Sequence, residues 1–311
     1  MHPLIASALI SGPAVDLYDA IIADPPMSQR WLEEIRTLWG QPEHSSLSLF
    51  PSVQAQTIQL PSRDTNVMVD VQLMVPPQPT DQAVVYLHGG GWIAPMAGKH
   101  LGWAKRLACL SRRSVYAVHY RLAPEHPYPA ALQDCLGVLN TVLQRHAGDV
   151  CIAGDSAGAN LAAACDQWQR HHGERRPDRL LLICGVLDLQ LERHRSMLEL
   201  GVGHPYNGLE LLALQRALYA PEQSLWDDPL ASPAHGVLSD LPSTLVIVGE
   251  QDPLRDDGID YVDRARQQGA SLQLHVGIGM PHGFVMQHNF VPEAASAAEH
   301  QILSFLDREE H

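Results

Sequence analysis

The sequence predicts an α/β fold in which a mostly parallel central sheet is covered by helices on both faces. One observation is a series of short, continuous apolar runs, which are typical of strands buried on both faces. Another is the helical stretches between these runs, such as residues 130–145 and 157–171. The length of 311 residues suits a single domain of this class, with a core that needs no disulfide, metal or partner for its stability.

The elements follow one another in a regular order along the chain. Trp31, Leu32 and Ile35 recur at spacings of three and four, which predicts amphipathic helices within residues 1–50. Alternating apolar residues from Val67 to Val75 predict a half-buried strand. The apolar runs predict further strands at residues 83–87, 115–118, 150–153, 180–184, 244–248 and 272–276, and further helices are expected at residues 208–219 and 293–306.

Composition and charge argue against several classes of partner. The chain carries 21 Lys and Arg against 35 Asp and Glu, a net charge of −14, whereas binding to nucleic acid or an anionic membrane requires a basic surface. A secretory signal peptide has a positively charged region before its apolar stretch, and no Lys or Arg precedes the apolar residues 4–10. No apolar run reaches the ~18 residues of a membrane span. We therefore expect a cytoplasmic protein with no nucleic-acid or membrane partner.

The cysteines and histidines predict no metal site. The five cysteines are odd in number and none lies in a Cys-x-x-Cys pair, so neither a disulfide framework nor a structural zinc site is indicated. No His-x-His or His-Glu-x-x-His sequence occurs among the 17 histidines. We expect no metal and no cofactor.

The first candidate for chemistry is Ser156, in Gly154-Asp155-Ser156-Ala157-Gly158. This segment follows a predicted buried strand and precedes a predicted helix, which is the context of a nucleophile elbow. The small residues around Ser156 allow a tight turn that presents its hydroxyl at a helix amino terminus. The competing interpretation is that Ser156 is only an N-cap residue.

A second candidate is His88-Gly89-Gly90-Gly91-Trp92, which directly follows the predicted strand 83–87. Consecutive glycines allow several backbone amides to turn toward one point, as binding of an oxyanion requires. A phosphate-binding loop is the alternative, and the lack of a Gly-x-x-x-x-Gly-Lys or Gly-x-Gly-x-x-Gly continuation disfavours it.

A serine nucleophile needs a base and an acid that orients the base. His282 lies in a loop after the strand 272–276, whereas His275 falls within that strand and His288 is expected on a surface helix. Asp252 follows the strand 244–248, where a catalytic carboxylate is expected, and Asp188 is the runner-up. Two further acids, Asp256 and Asp257, are expected in the first turn of the next helix.

Together these segments resemble the hormone-sensitive-lipase-like family of α/β-hydrolases, the bacterial esterases also called family IV. The resemblance spans about residues 50–305. It rests on His88-Gly89-Gly90-Gly91-Trp92, residues 120–131, Gly154-Asp155-Ser156-Ala157-Gly158, Asp252-Pro253-Leu254 and His282-Gly283-Phe284, in the family's order. It implies an α/β-hydrolase catalytic domain at residues 51–311, but residues 1–50 and the insertion near residues 192–240 have no match in it. Because this insertion lies between two core strands, we expect it to form a cap over the carboxyl edge of the sheet together with N-terminal cap helices in residues 1–50.

The resemblance also implies a site and an activity. Ser156, His282 and Asp252 would form the catalytic triad of a serine carboxylesterase that hydrolyses short- to medium-chain esters without a cofactor. The oxyanion hole would consist mainly of the Gly90, Gly91 and Ala157 amides, with Gly89 completing the turn. Residues 120–131 would brace the sheet beside the site, and the protein would be a monomer or a homodimer.

Several alternatives remain open at this stage. An amidase or a lactone hydrolase uses the same residues as an esterase. A non-catalytic receptor for a small ligand on the same scaffold is disfavoured because such receptors usually lose the histidine that is present here as His282. Trp92, Trp31 and Tyr206 are candidates to line a substrate pocket, although each could equally contribute to packing of the core or the cap.

Overall fold

The computed structural model describes residues 32–37, 50–204 and 207–308. Its strands are β1 (Gln54–Pro61), β2 (Met68–Val75), β3 (Ala83–Leu87), β4 (Ser114–Val118), β5 (Val150–Asp155), β6 (Arg179–Ile183), β7 (Ser243–Gly249) and β8 (Leu272–Gly277). They form one sheet in the order β1-β2-β4-β3-β5-β6-β7-β8. β2 is antiparallel to both of its neighbours, and all other pairs are parallel, which confirms the predicted mostly parallel sheet.

Helices cover both faces of this sheet, as predicted. The helices are α1 (Gly98–Ser111), α2 (Ala130–Arg145), α3 (Ala157–His172), α4 (Leu209–Tyr219), α5 (Arg255–Gln267) and α6 (Pro292–Asp307). The inward residues of α2, α3 and α5 pack in one hydrophobic cluster, which α4 joins. Those of α1 and α6 pack in a second cluster on the opposite face.

The continuous apolar run of β3 follows from this double coverage. Val85 and Leu87 lie in the cluster of α2, α3 and α5, whereas Val84 and Tyr86 lie in the cluster of α1 and α6. Because side chains alternate between the faces of a strand, a strand covered on both sides needs an apolar residue at every position.

The antiparallel edge of the sheet is more exposed. Val69 and Val71 of β2 are buried and Asp70 between them is exposed, as the predicted alternation requires. The pattern ends at Met74, which is buried in the cluster of α1 and α6 on the other face. β1 forms the outer edge, and Leu60 is its one buried residue.

The strand order places the two glycine-rich segments side by side. The chain passes from β3 to β4 on one side and then crosses back to β5 on the other side, so the direction of winding reverses between β3 and β5. Leu87, the last residue of β3, pairs with Gly154 of β5. Ligands of open α/β sheets bind at the carboxyl ends of the strands at such a reversal.

The described part of the amino-terminal segment, residues 32–37, is helical and is tied to the loops after β3 and β4. Leu32 is buried against the cluster of α2 and α3. The Arg36 guanidinium donates to the Ile93 carbonyl oxygen at 2.7 Å and to both carboxylate oxygens of Glu125 at 2.7 Å. Trp31 and Tyr206 lie outside the described residues.

All five cysteines are free thiols; four are buried and Cys109 is half-buried. Over the described ranges, no helix combines the length and the apolar character needed to cross a bilayer.

The turn between β5 and α3 leaves no room for a side chain at Gly158. A Cβ atom there would overlap the carbonyl oxygen of Leu87. We expect Gly158→Ala to lower the free energy of unfolding by about 3 kcal/mol, because backbone must shift to admit the methyl group. Denaturant unfolding measures the loss.

The control is Gly173→Ala at the carboxyl end of α3, where a Cβ would meet nothing within 4 Å. That variant pays only for its left-handed backbone, about 1 kcal/mol. Equal losses in the two variants would contradict the close approach of α3 to β3.

Candidate active site

Ser156 stands at the junction of β5 and α3 in a strained backbone conformation. Its φ of 54° and ψ of −119° are rarely adopted by a residue with a side chain. The Ser156 amide donates to the Ile183 carbonyl oxygen of β6 at 2.9 Å, and this bond helps to hold the turn. The side chain makes no capping hydrogen bond to α3, so the N-cap interpretation is wrong. Ser156 instead lines a cavity.

Asp252 and His282 meet at the carboxyl ends of β7 and β8. Asp252 is fully buried, and its Oδ2 lies 2.8 Å from Nδ1 of His282. Its Oδ1 accepts the amide hydrogen of Leu254 at 2.9 Å, so both oxygens are fixed. The runner-up Asp188 instead lies 3.0 Å from Nε2 of His235. The structure therefore brings Asp252, and not Asp188, to His282.

The environment of His282 raises its pKa. Burial by itself lowers the pKa of this imidazole, but the adjacent Asp252 carboxylate outweighs burial, so the pKa lies above the ordinary 6.5. Because Nδ1 donates to Asp252, Nε2 of the neutral ring carries the lone pair. His282 lines the same cavity as Ser156. The pair can accept a proton from a group in that cavity and hold the resulting imidazolium.

The glycine loop after β3 offers unpaired amides beside Ser156. Gly90 and Gly91 have φ values of 124° and 59° and line the cavity. Within the described residues, the amides of Gly90, Gly91 and Ala157 donate to no other protein group. Gly89 differs, because its amide donates to Oδ1 of Asp155 at 2.9 Å. Its inclusion in the oxyanion hole is therefore wrong as far as hydrogen-bond donation is concerned.

Asp155 holds the glycine loop against the serine turn. Its Oδ1 also accepts the Tyr86 hydroxyl at 2.6 Å, and its Oδ2 lies 3.6 Å from Nε2 of His100. Burial disfavours the charge, but His100 and Tyr86 outweigh burial and hold the pKa of Asp155 well below its usual range. The contacts with Gly89, Tyr86 and His100 thus favour the charged form of the carboxylate beside the serine.

The cavity has a volume of about 600 Å³, and its lining includes Ser156, His282, Asp155, Gly90 and Gly91. Besides Ser156, His282 and the glycine loop, its lining includes Leu212 and Gln215 of α4 and residues His204 and Asn207 just before α4. These four come from the insertion near residues 192–240. The insertion therefore contributes one wall of the cavity above the carboxyl edge of the sheet.

Comparison with known proteins decides the family. A model of the alpha/beta hydrolase fold matches residues 84–286, about two thirds of the chain. The chain belongs to this family. Its place among the hormone-sensitive-lipase-like, family IV enzymes is also confirmed, as is its class, carboxylic ester hydrolase.

Individual relatives are named as esterases or carboxylesterases. Carboxylesterase NlhH of Mycobacterium tuberculosis is 32% identical over 241 residues, which cover 74% of this chain and 75% of that protein. Esterase LipI of the same organism is 30% identical over 248 residues, or 76% of this chain and 77% of that protein. The solved structure of an esterase from Pyrobaculum calidifontis has a TM-score of 0.78 and 31% identity, over 88% of this chain and 92% of that one.

One sequence-predicted substrate contact of this α/β-hydrolase is wrong. Trp92 is 1% exposed and does not line the cavity. Its ring stacks on Tyr219 of α4 with 4.4 Å between centroids and 4° between planes. Trp92 therefore joins the glycine loop to the insertion. The other two candidates, Trp31 and Tyr206, lie outside the described residues.

The other histidines and acids that the sequence offered as candidates do not line the cavity. His275 is in β8, and Asp256 and Asp257 are in the first turn of α5, as predicted. His288 was expected on a surface helix, but it lies in a half-buried turn with Nε2 3.5 Å from Glu299.

A possible metal-ligand cluster overlaps the candidate site. Ligand atoms of Cys184, Asp252 and His282 lie within 4.8 Å of one another. A cation there would have to displace the hydrogen bond between Asp252 and His282 and deprotonate the Cys184 thiol, whose pKa is raised by burial. The donor set does not fit a resident metal.

Three kinds of residue shape the site without a sequence signal that assigns them a role. Asp155 lies within the serine motif, but the motif does not reveal its contacts with Tyr86, Gly89 and His100. Lys99 and His100 in the first turn of α1 also line the cavity, as does Gln215, yet none lies in a motif that was interpreted. The distance along the chain from Gly91 to Gln215 hides their contact, although a Cβ at Gly91 would overlap the Gln215 side chain.

The contact between Asp252 and His282 predicts how the pKa of His282 responds to a substitution at Asp252. Asp252→Asn removes the charge that raises the pKa of His282 while burial still lowers it, so this pKa should fall below that of the wild type. Titration of the imidazole by NMR measures the change. Asp188→Asn is the control and should leave His282 unchanged; a shift in this control with none in Asp252→Asn would contradict the pairing.

Proposed function

We propose that this chain is a serine carboxylesterase in which Ser156, His282 and Asp252 act as a triad. The observation that carries the proposal is the 2.8 Å contact between Asp252 and His282 at a cavity that also exposes the strained Ser156. Family membership supports the same chemistry, since the matched relatives are named esterases.

The first half of the reaction forms an acyl-enzyme. Oγ of Ser156 attacks the ester carbonyl carbon while Nε2 of His282 takes its proton. The carbon–oxygen bond to the alcohol then breaks, and His282 returns the proton to the departing oxygen. Asp252 keeps the imidazole in the required tautomer and stabilises its charged form.

The second half releases the acid. Water loses a proton to His282 as its oxygen attacks the acyl carbon, and the proton returns to Oγ of Ser156 when the acyl bond breaks. In both halves the negative charge on the carbonyl oxygen is bound by the amides of Gly90, Gly91 and Ala157. Each such donor is worth about 3 kcal/mol of transition-state stabilisation.

The dimensions of the cavity support small substrates. The cavity has to hold the acyl part and the alcohol part of an ester together. Its volume of about 600 Å³ therefore suits short- to medium-chain acyl groups. The insertion near residues 192–240 acts as a cap of the catalytic domain 51–311, and Leu212 and Gln215 of α4 form its inner surface. Most of residues 1–50, where further cap helices are predicted, lie outside the described residues. The free thiols support a cytoplasmic location.

The direct test is hydrolysis of p-nitrophenyl esters from acetate to palmitate by the wild type and by Ser156→Ala. The wild type should be most active on short or medium chains, and the variant should lose at least about a thousandfold in kcat because the nucleophile is absent. The matched control, Ser296→Ala on α6, should keep full activity.

Two results would contradict the proposal. Undiminished hydrolysis by folded Ser156→Ala would show that another group is the nucleophile. No hydrolysis of any ester by the folded wild type would favour an amide or lactone substrate, or a receptor, over an esterase.

A further inference from the structure

A cation lies in the wall of the candidate active site. Lys99 is the second residue of α1, and its exposed side chain lines the same cavity as Ser156 and His282. Within the ranges that the structure describes, its ammonium forms no ion pair. The triad chemistry proposed above makes no use of this charge.

The protein's own carboxylate nearby is already bound. Asp155 is the acidic residue of the cavity lining, and it interacts with Tyr86, Gly89 and His100. The positive charge of Lys99 nevertheless acts at the site. It adds to the lowering of the pKa of Asp155, and it partly offsets the larger effect by which Asp252 raises the pKa of His282. A carboxylate entering with a ligand can approach Lys99 without having to displace a protein anion from it.

The backbone at the start of α1 adds to the positive electrostatic potential around Lys99. α1 has no acidic residue in its first turn, and Nδ1 of His100 accepts the Ala97 amide hydrogen at 2.9 Å. The amino-terminal end of α1 carries a partial positive charge, which favours an anion there. This supplements the lysine charge and does not by itself make a site.

The rest of the lining is mixed, with apolar residues such as Leu212, Pro253 and Met286 beside polar, neutral ones. Asn207, Gln215, Gln251 and Gln287 contribute amide groups, and the last donates to the His282 carbonyl oxygen at 3.1 Å. Such groups can hydrogen-bond a substrate that carries a second polar end, whereas a long alkyl chain would leave them unpaired.

We propose that Lys99 binds a carboxylate on the substrate itself, so that the preferred substrates are half-esters of short dicarboxylic acids. The inference rests on the proposed esterase function and specifies its substrate class. A protein with a net charge of −14 repels anions in general, so a local cation beside the nucleophile is what admits them. Cleavage yields a free dicarboxylate and an alcohol, by the steps given above.

The test compares monomethyl glutarate with dimethyl glutarate, which differ by one methyl group and one charge. Release of methanol gives kcat/KM for each ester with the wild type, Lys99→Gln and Lys105→Gln. Lys105 lies on the same helix outside the cavity lining, so it is the matched control. The ratio of the two values within one variant cancels any change that both esters share, such as a shift in the pKa of His282.

The wild type should prefer the anionic half-ester. Lys99→Gln should lower the anionic-to-neutral ratio about fivefold, the upper range for a solvent-accessible ion pair. Lys105→Gln should leave the ratio unchanged, and Lys99→Arg should restore most of it. Added salt should reduce the preference of the wild type.

The outcomes separate this inference from the esterase proposal. If the wild type hydrolyses the diester but Lys99→Gln keeps the wild-type ratio, the role of Lys99 is wrong and the esterase stands. An equal fall of the ratio in Lys99→Gln and Lys105→Gln would also overturn it, because net charge would then explain the preference. If the folded wild type cleaves neither ester nor any p-nitrophenyl ester, the proposed function itself fails.

Discussion

The buried carboxylate of Asp155 joins the two loops on which the candidate site is built. It lies next to Ser156 in the chain, and it accepts hydrogen bonds from the Gly89 amide and the Tyr86 hydroxyl. Burying a charge is costly unless hydrogen bonds satisfy it, and here they come from β3 and the loop after it. The ionised Asp155 therefore fixes the glycine loop relative to Ser156. This contact also determines where the amides of Gly90 and Gly91 lie.

A second set of contacts supports the glycine loop from its other side. The Tyr120 hydroxyl donates to the His88 carbonyl oxygen at 2.6 Å, and the two rings stack 4.3 Å apart. Burial lowers the pKa of His88 to about 3, so this ring stays neutral and serves packing. Trp92 then stacks on Tyr219 and links the loop to α4, which brings Gln215 to the cavity. Serine turn, loop and insertion thus form one connected unit.

Much of this architecture could be predicted because its signals are local. Strands covered on both faces must be apolar throughout, so the runs of β3 and β5 to β7 stand out in the sequence. The serine turn is recognisable because Gly154 and Gly158 are required by sterics within five residues. Asp252 and Asp188 look alike in the sequence, since each follows a strand. Only the strand order distinguishes them, because it places β7, which Asp252 follows, beside β8, which His282 follows.

The errors concern partners that are distant along the chain. The three glycines after His88 have equal freedom, and only the fold shows that the Gly89 amide is committed to Asp155. The sequence around an aromatic residue such as Trp92 does not show whether its ring contacts a substrate or, as here, stacks on Tyr219. Lys99 belongs to no motif, and its importance depends entirely on the cavity that α1 and α4 enclose together.

The central claim is that the strain, the glycine loop and the Asp252–His282 pair all serve to make Ser156 a nucleophile. The most direct test is to treat the folded protein with diethyl p-nitrophenyl phosphate and to locate the adduct by mass spectrometry. We expect one phosphoryl group per chain, on Ser156, and strongly slowed labelling in His282→Asn. Labelling at another residue, or equal labelling of Ser156 in that variant, would contradict it.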